Sequence, residues 1–196
     1  LHVLTHSFPT RRSSDLLVEA MPDILEKEPA AQLLIVGEGP ARPTLERQVR
    51  EMGLQDHVSF TGQVDNDQVC HYYQMADVFV SASDSETQGL TYDEALASDL
   101  PIVVMRSEYT DELIDDPAIG RSFQKRTDLV DGVLEYLATP PSPEAIAKRR
   151  EKLHDISAEV FGQRVLDFYR VCQEEVAEKK RPGFGRRFRH LRDQND

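Results

Sequence analysis

Cysteine is scarce. Cys70 and Cys172 are the only two in 196 residues, too few and too far apart in sequence for a zinc site or a disulfide framework, so both read as reduced thiols. Missing too is any apolar run approaching the ~18 residues of a membrane span, which restricts membrane contact to the periphery. Basic residues are outnumbered, 23 Lys and Arg against 35 Asp and Glu, and the net charge of -12 with a pI near 4.9 argues against general nucleic-acid binding. Apart from His2 and His6, which stand four apart at the start of the chain, the six histidines form no H-x-x-x-H or similar cluster, and no metal ligand is assigned. Ser81, Ser83 and Ser85 lack the His and Asp pattern of nucleophilic catalysis. What is present is a hydrophobic share of 39%, enough for one domain with a full core, and a cytoplasmic protein fits.

Both ends stand apart from the rest. Residues 6–16, HSFPTRRSSDL, resemble the translated read-through of a common sequencing adapter, so residues 1–16 are expected to form a non-native or disordered leader outside the fold. The alternative is a genuine polar leader, with Ser13 or Ser14 capping a helix from near Leu17 and Arg11 and Arg12 offering themselves to phosphate. The other end, 179–196, reverses the charge of the chain: Lys179, Lys180, Arg181, Arg186, Arg187, Arg189 and Arg192 surround Phe184 and Phe188. Two readings fit it. Each base near anionic lipid contributes roughly 1 kcal/mol, which would hold the tail at a membrane surface; the other reading is a solubilising, disordered end.

Between these ends, over 17–178, strand and helix patterns take turns. Residues 33–36 (LLIV), 58–64 (VSFTGQV), 78–80 (VFV) and 101–105 (PIVVM) read as strands. Helical spacing marks 17–28 in spite of Pro22, 42–52 with Gly53 as its cap, 67–75, 108–115, 127–138, 144–154 and 158–179. In the last of these Val160, Phe161, Val165, Phe168, Tyr169 and Cys172 make an apolar face that needs a partner. The order implies βαβ units, hence a parallel sheet with helices on both faces and a ligand site beyond the carboxyl ends of the strands. The turns at 37–40, 62–65 and 83–90 all follow strands and therefore converge on one rim.

The stretch 78–97 passes from a buried strand through a polar turn into a helix. Glu86 and Glu94 have seven residues between them, which puts one in the loop at the helix mouth and the other about two turns in. Gly89 bares backbone amides at a helix start, the general arrangement for a phosphate or pyrophosphate. The competing explanation is a first-turn carboxylate favoured by the helix dipole and an exposed helical glutamate, with no ligand. Asp65-Asn66-Asp67 spells D-x-D, but helix N-capping accounts for acids there without a metal. His57, His71 and His154 read as surface or packing residues, and Tyr72 and Tyr73 as core and helix-face aromatics.

S-E-T-Q-G-L-T-Y-D-E-A-L-A at 85–97 resembles the E-x7-E signature of family 4 glycosyltransferases, and V-G-E-G-P, V-S-F-T-G-Q-V and Y-Y-Q-M-A-D-V-F-V-S-A-S precede it in the family's order. The S-E-T-Q-G-L-T-Y variant looks most like bacterial diacylglycerol glucosyltransferases and their relatives. It implies the Rossmann-like, donor-binding C-terminal half of a GT-B fold, with its first strand missing. It also implies a retaining hexosyltransferase that uses UDP-glucose and a membrane lipid such as diacylglycerol, with no metal or other cofactor. By the same resemblance Glu86 is the catalytic-site carboxylate on the donor sugar, Gly89, Leu90 and Thr91 meet the diphosphate through their backbone, Glu94 binds the ribose, and Gln63 and Val64 border the base. The implied partners are a nucleotide sugar, a lipid acceptor and, through the basic tail, an anionic membrane on the inner face of the cell membrane, with no nucleic acid. Other acceptor classes, polysaccharide or glycoprotein, and a non-catalytic nucleotide-sugar-binding subunit remain alternatives. Two departures stand out. Asp99 occupies a position where the family usually has glycine, and the family's strand ending in G-R-L followed by Lys, which clamps the diphosphate, has no match.

Overall fold

Each run of aliphatic residues becomes a strand, and each amphipathic stretch after it a helix. The computed structural model describes residues 2–6, 11–83 and 90–179. In chain order these form β1 His2–His6, α1 Arg11–Lys27, β2 Gln32–Val36, α2 Arg42–Glu51, β3 Val58–Gly62, α3 Asn66–Gln74 and β4 Val78–Ser81. There follow α4 Leu90–Ala97, β5 Ile102–Met105, α5 Glu108–Leu113, β6 Gly120–Phe123, α6 Arg126–Ala138, α7 Pro143–Asp155 and α8 Ala158–Lys179. All strand pairs are parallel, in the order β3-β2-β1-β4-β5-β6. This is the doubly wound Rossmann order, in which the direction of winding reverses between β1 and β4.

Alternation along the buried strands divides the core into two. Val3, Ile35, Val78, Val80 and Val103 face α1, α2 and α6, where Met21, Leu45 and Leu129 pack. Leu4, Phe79, Ile102 and Val104 face α3, α4 and α5 through Tyr73, Tyr92 and Leu113. Helices therefore cover both faces, as the βαβ order requires.

The start of the chain corrects the expected leader and the expected missing strand. His2–His6 is a central strand, paired with β2 over its full length and with β4 at Val3 and Leu4. Val3 and Leu4 are both buried, one on each face, because a strand between two parallel neighbours must satisfy both. Residues 11–16 form the opening of α1 rather than a polar leader, so the helix starts six residues before Leu17. The far end also divides differently from the expected 17–178 domain: one compact unit is Leu1–Leu153 and the other His154–Asp196. Within the second unit, α8 leaves Phe161, Phe168 and Tyr169 exposed. The basic tail beyond residue 179 lies outside the described residues.

Two helices end in the same hydrogen-bonded motif with different residues. After α2, Gly53 has φ 70°, and the amides of Gly53 and Leu54 donate to Arg50 and Val49. After α4, Asp99 takes φ 61° while Asp99 and Leu100 donate to Leu96 and Ala95. Both are Schellman caps. The glycine expected at position 99 is thus replaced where a left-handed backbone is required, and an aspartate tolerates it better than most residues. Its carboxylate also receives Arg150 at 2.9 and 2.7 Å. We expect Asp99→Val to lower unfolding free energy by about 1–2 kcal/mol, because a β-branched residue is strained there, whereas Asp99→Gly should stay within about 0.5 kcal/mol of the parent. Urea denaturation of the two variants checks this; equal stability of both would remove the strain argument.

Candidate functional site

The site follows from the sheet order. β1 and β4 are neighbours, yet the chain leaves β1 for one face and β4 for the other, so a crevice opens beyond their carboxyl ends. β4 runs through Ser81 into Ala82 and Ser83, and α4 begins at Leu90. Glu86 and Gly89, between them in sequence, lie outside the described residues. Leu90 and Thr91 are the first two residues of α4, whose leading amides have no partner within the helix. Leu90 is 61% exposed, an apolar side chain on the first residue of α4.

Glu94 stands on the second turn of the same helix with its side chain exposed. Its Oε2 accepts a hydrogen bond of 3.0 Å from the hydroxyl of Tyr73, which also lies 3.4 Å from the carbonyl oxygen of Thr91. Tyr73 is 2% exposed and its ring leans on Phe79, with centroids 5.7 Å apart. Next along the helix, Asp93 has Oδ1 buried without a hydrogen-bond partner, and burial, then the charge of Glu94, holds its carboxyl above the ordinary range. Neither role was visible in sequence: Tyr73 read as a packing residue, which it is, but its hydroxyl reaches across to α4.

The other rim turns are built at the ends of β2 and β3. Gly37 has φ 113° and Gly62 φ 74°, and the Gly37 amide donates to the Gly62 carbonyl at 3.2 Å, joining the two turns. A side chain at Gly62 would come within 2.9 Å of Arg42 Nη1. Arg42 is already engaged by Glu38 at 2.6 Å and Glu46 at 2.8 Å, so it offers no free charge to an anion. Gln63 is exposed and Val64 half-buried against the α3–α4 side of the core. The structure therefore brings Gln63, Val64, Leu90, Thr91 and Glu94 to one rim, with the β3 and β4 ends about 14 Å apart by strand spacing. Asp65 does occupy the N-cap of α3, but its side chain makes no capping hydrogen bond, so the expected explanation of D-x-D by capping holds for position and not for contact.

A cavity of about 520 Å³ lies at the opposite edge, among Leu100, Pro101, Pro117, Leu137 and Tyr136, just ahead of β5 and β6. Arg149 borders it, 2% exposed, with Nη1 donating to the Ala118 carbonyl at 2.6 Å and with Nε and Nη2 unpaired. Burial lowers its pKa and raises that of Tyr136 to about 12. Ligands of open parallel sheets bind at the other edge, so this cavity is not assigned to the donor. Among the described residues, no group of three His, Cys, Asp or Glu side chains converges as a metal site, and no helix is long and apolar enough to cross a membrane.

A family model described as "Glycosyl transferases group 1" matches residues 4–153, most of the chain, from within β1 through β6 and beyond. The chain belongs to the group 1 glycosyltransferases. This bears out the resemblance read from the E-x7-E stretch. An alpha-monoglucosyldiacylglycerol synthase of Streptococcus pneumoniae is 42% identical over 151 residues, covering 76% of this chain and 34% of that protein. The enzyme of the same name from Acholeplasma laidlawii is 34% identical over 149 residues, covering 76% and 37%. This group 1 chain thus spans about a third of the length of those relatives. Among solved structures, a mutant of S. aureus TarM in complex with fondaparinux, alpha-GlcNAc-glycerol and UDP superposes with a TM-score of 0.75 at 25% identity, over 85% of this chain and 34% of that one. The Rossmann-like half of a GT-B fold is therefore the fold of this group 1 domain.

Proposed function

We propose that this chain is the donor-binding domain of a retaining hexosyltransferase that moves glucose from UDP-glucose to a membrane lipid such as diacylglycerol. One observation carries the reading: β4 and α4, which lie on either side of the 84–89 stretch, adjoin the crevice where the winding of the sheet reverses, in a chain 42% identical over 151 residues to an alpha-monoglucosyldiacylglycerol synthase. An alpha-linked product made from an alpha-linked sugar nucleotide keeps its anomeric configuration, which supports retention.

In this mechanism the diphosphate lies at the mouth of α4, against the amides of Gly89, Leu90 and Thr91. Charge grows on the leaving diphosphate as the glycosidic bond to the nucleotide breaks, and N–H dipoles at a helix start stabilise such charge. Glu86 accepts hydrogen bonds from donor-sugar hydroxyls and sets the ring over the crevice. Glu94 accepts from the ribose, and Gln63 and Val64 border the base. With no match to the G-R-L…K clamp the chain by itself binds UDP weakly, and with the acceptor hydroxyl supplied from outside this domain it transfers nothing by itself. The experiment is sugar transfer from UDP-glucose to diacylglycerol in vesicles by a protein that joins this domain to an acceptor-binding half. Transfer that depends on Glu86 supports the reading; transfer unaffected by its loss contradicts it.

A further inference from the structure

Glu94 presents a difficulty for ribose recognition. It is exposed, on a helix surface, and a free glutamate there samples many rotamers that must be given up when a ligand binds. It also adjoins Asp93, whose carboxyl is held above its ordinary range by burial and then by the charge of Glu94. The structure holds it from below. The Tyr73 hydroxyl meets Oε2 at 3.0 Å, and the tyrosine cannot swing away, because its ring is 2% exposed and packed on Phe79, which is itself flanked by Tyr92. One carboxylate oxygen is thereby fixed, while Oε1 has no protein partner among the described hydrogen bonds. Tyr73 lies near the end of α3 and Glu94 on α4, so the bond joins the two neighbouring helices.

We propose that Tyr73 is a positioning residue for nucleotide recognition: its buried hydroxyl locks the Glu94 carboxylate in the orientation that receives the ribose hydroxyls. This rests on the assignment of Glu94 to the ribose. A phenol suits the task because it donates one strong, directional hydrogen bond to a carboxylate without adding charge to a site that must admit a diphosphate. Phenylalanine keeps the ring and its packing, so Tyr73→Phe removes the hydroxyl with little cost to the core.

The test is equilibrium titration of the chain with UDP and with 2′,3′-dideoxy-UDP, which lacks the hydroxyls that Glu94 would bind. The parent chain should favour UDP by about tenfold, Glu94→Ala should bring the ratio close to one, and Tyr73→Phe should lower it about fivefold with dideoxy-UDP affinity unchanged. A purely structural role would weaken both nucleotides together and leave the ratio intact. Full discrimination in Tyr73→Phe alongside its loss in Glu94→Ala would overturn the positioning role and spare the ribose assignment. A parent chain that binds the two nucleotides equally, or binds neither, would overturn both.

Discussion

Replacing Glu86 by alanine in a transfer-competent protein containing this domain is expected to lower kcat/KM about 10²- to 10³-fold while UDP affinity changes by less than about threefold. The magnitude follows from hydrogen bonds between a carboxylate and two sugar hydroxyls, each about 1.5–2 kcal/mol, where about 1.4 kcal/mol is tenfold in rate. The separation of the two effects follows from the proposed roles: Glu86 is assigned to the sugar, and α4 with its neighbours is assigned to the nucleotide. Glu86→Gln keeps an acceptor oxygen but loses the charge and should fall between the two. Steady-state transfer rates paired with UDP titrations give both quantities. A loss of UDP affinity as large as the loss of transfer would move Glu86 from the sugar to the nucleotide.

The largest stability effect is expected far from the rim, at Gly120→Ala. Gly120 opens β6 and pairs with Ile102 of β5, and a methyl group there would stand 2.1 Å from the Ile102 carbonyl oxygen and 2.6 Å from its Cγ1. The nearest obstacle is backbone, so no rotamer change relieves it, and the strand must shift against its neighbour. Overpacking of this kind costs about 3 kcal/mol, which should lower the urea midpoint by roughly 1–1.5 M. By contrast Gly39→Ala, which meets nothing within 4 Å, should leave the midpoint nearly unchanged. Equal midpoints for the two variants would mean that β6 yields without resistance.

The strands with continuous apolar runs were legible before any coordinates: LLIV and PIVVM are buried on both faces, and such residues can do little else. β6 was not legible. Its sequence is GRSF with only Gly120 and Phe123 buried, and Arg121 turns outward to Glu135. β1 was hidden for another reason, since His2–His6 adjoins and enters a stretch that resembles exogenous sequence, and its two inward residues are too few to show a period. The capping box of Ser107 and Thr110 at α5 also escaped notice, because Thr110 stands where the usual pattern has Glu or Gln. In the site, the rim positions could be read because parallel strands put every exit turn on one edge. The Tyr73–Glu94 bond could not, because it joins residues 21 apart across two helices whose adjacency only the folded sheet defines.

The central claim is that the mouth of α4, where the sheet reverses, holds a sugar nucleotide. A crystal structure of the chain soaked with UDP tests it most directly. The account predicts diphosphate oxygens about 3 Å from the amides of Leu90 and Thr91, with the ribose against Glu94. Nucleotide seated instead beside Arg149 at the opposite edge, or bound without contact to residues 86–94, would contradict it.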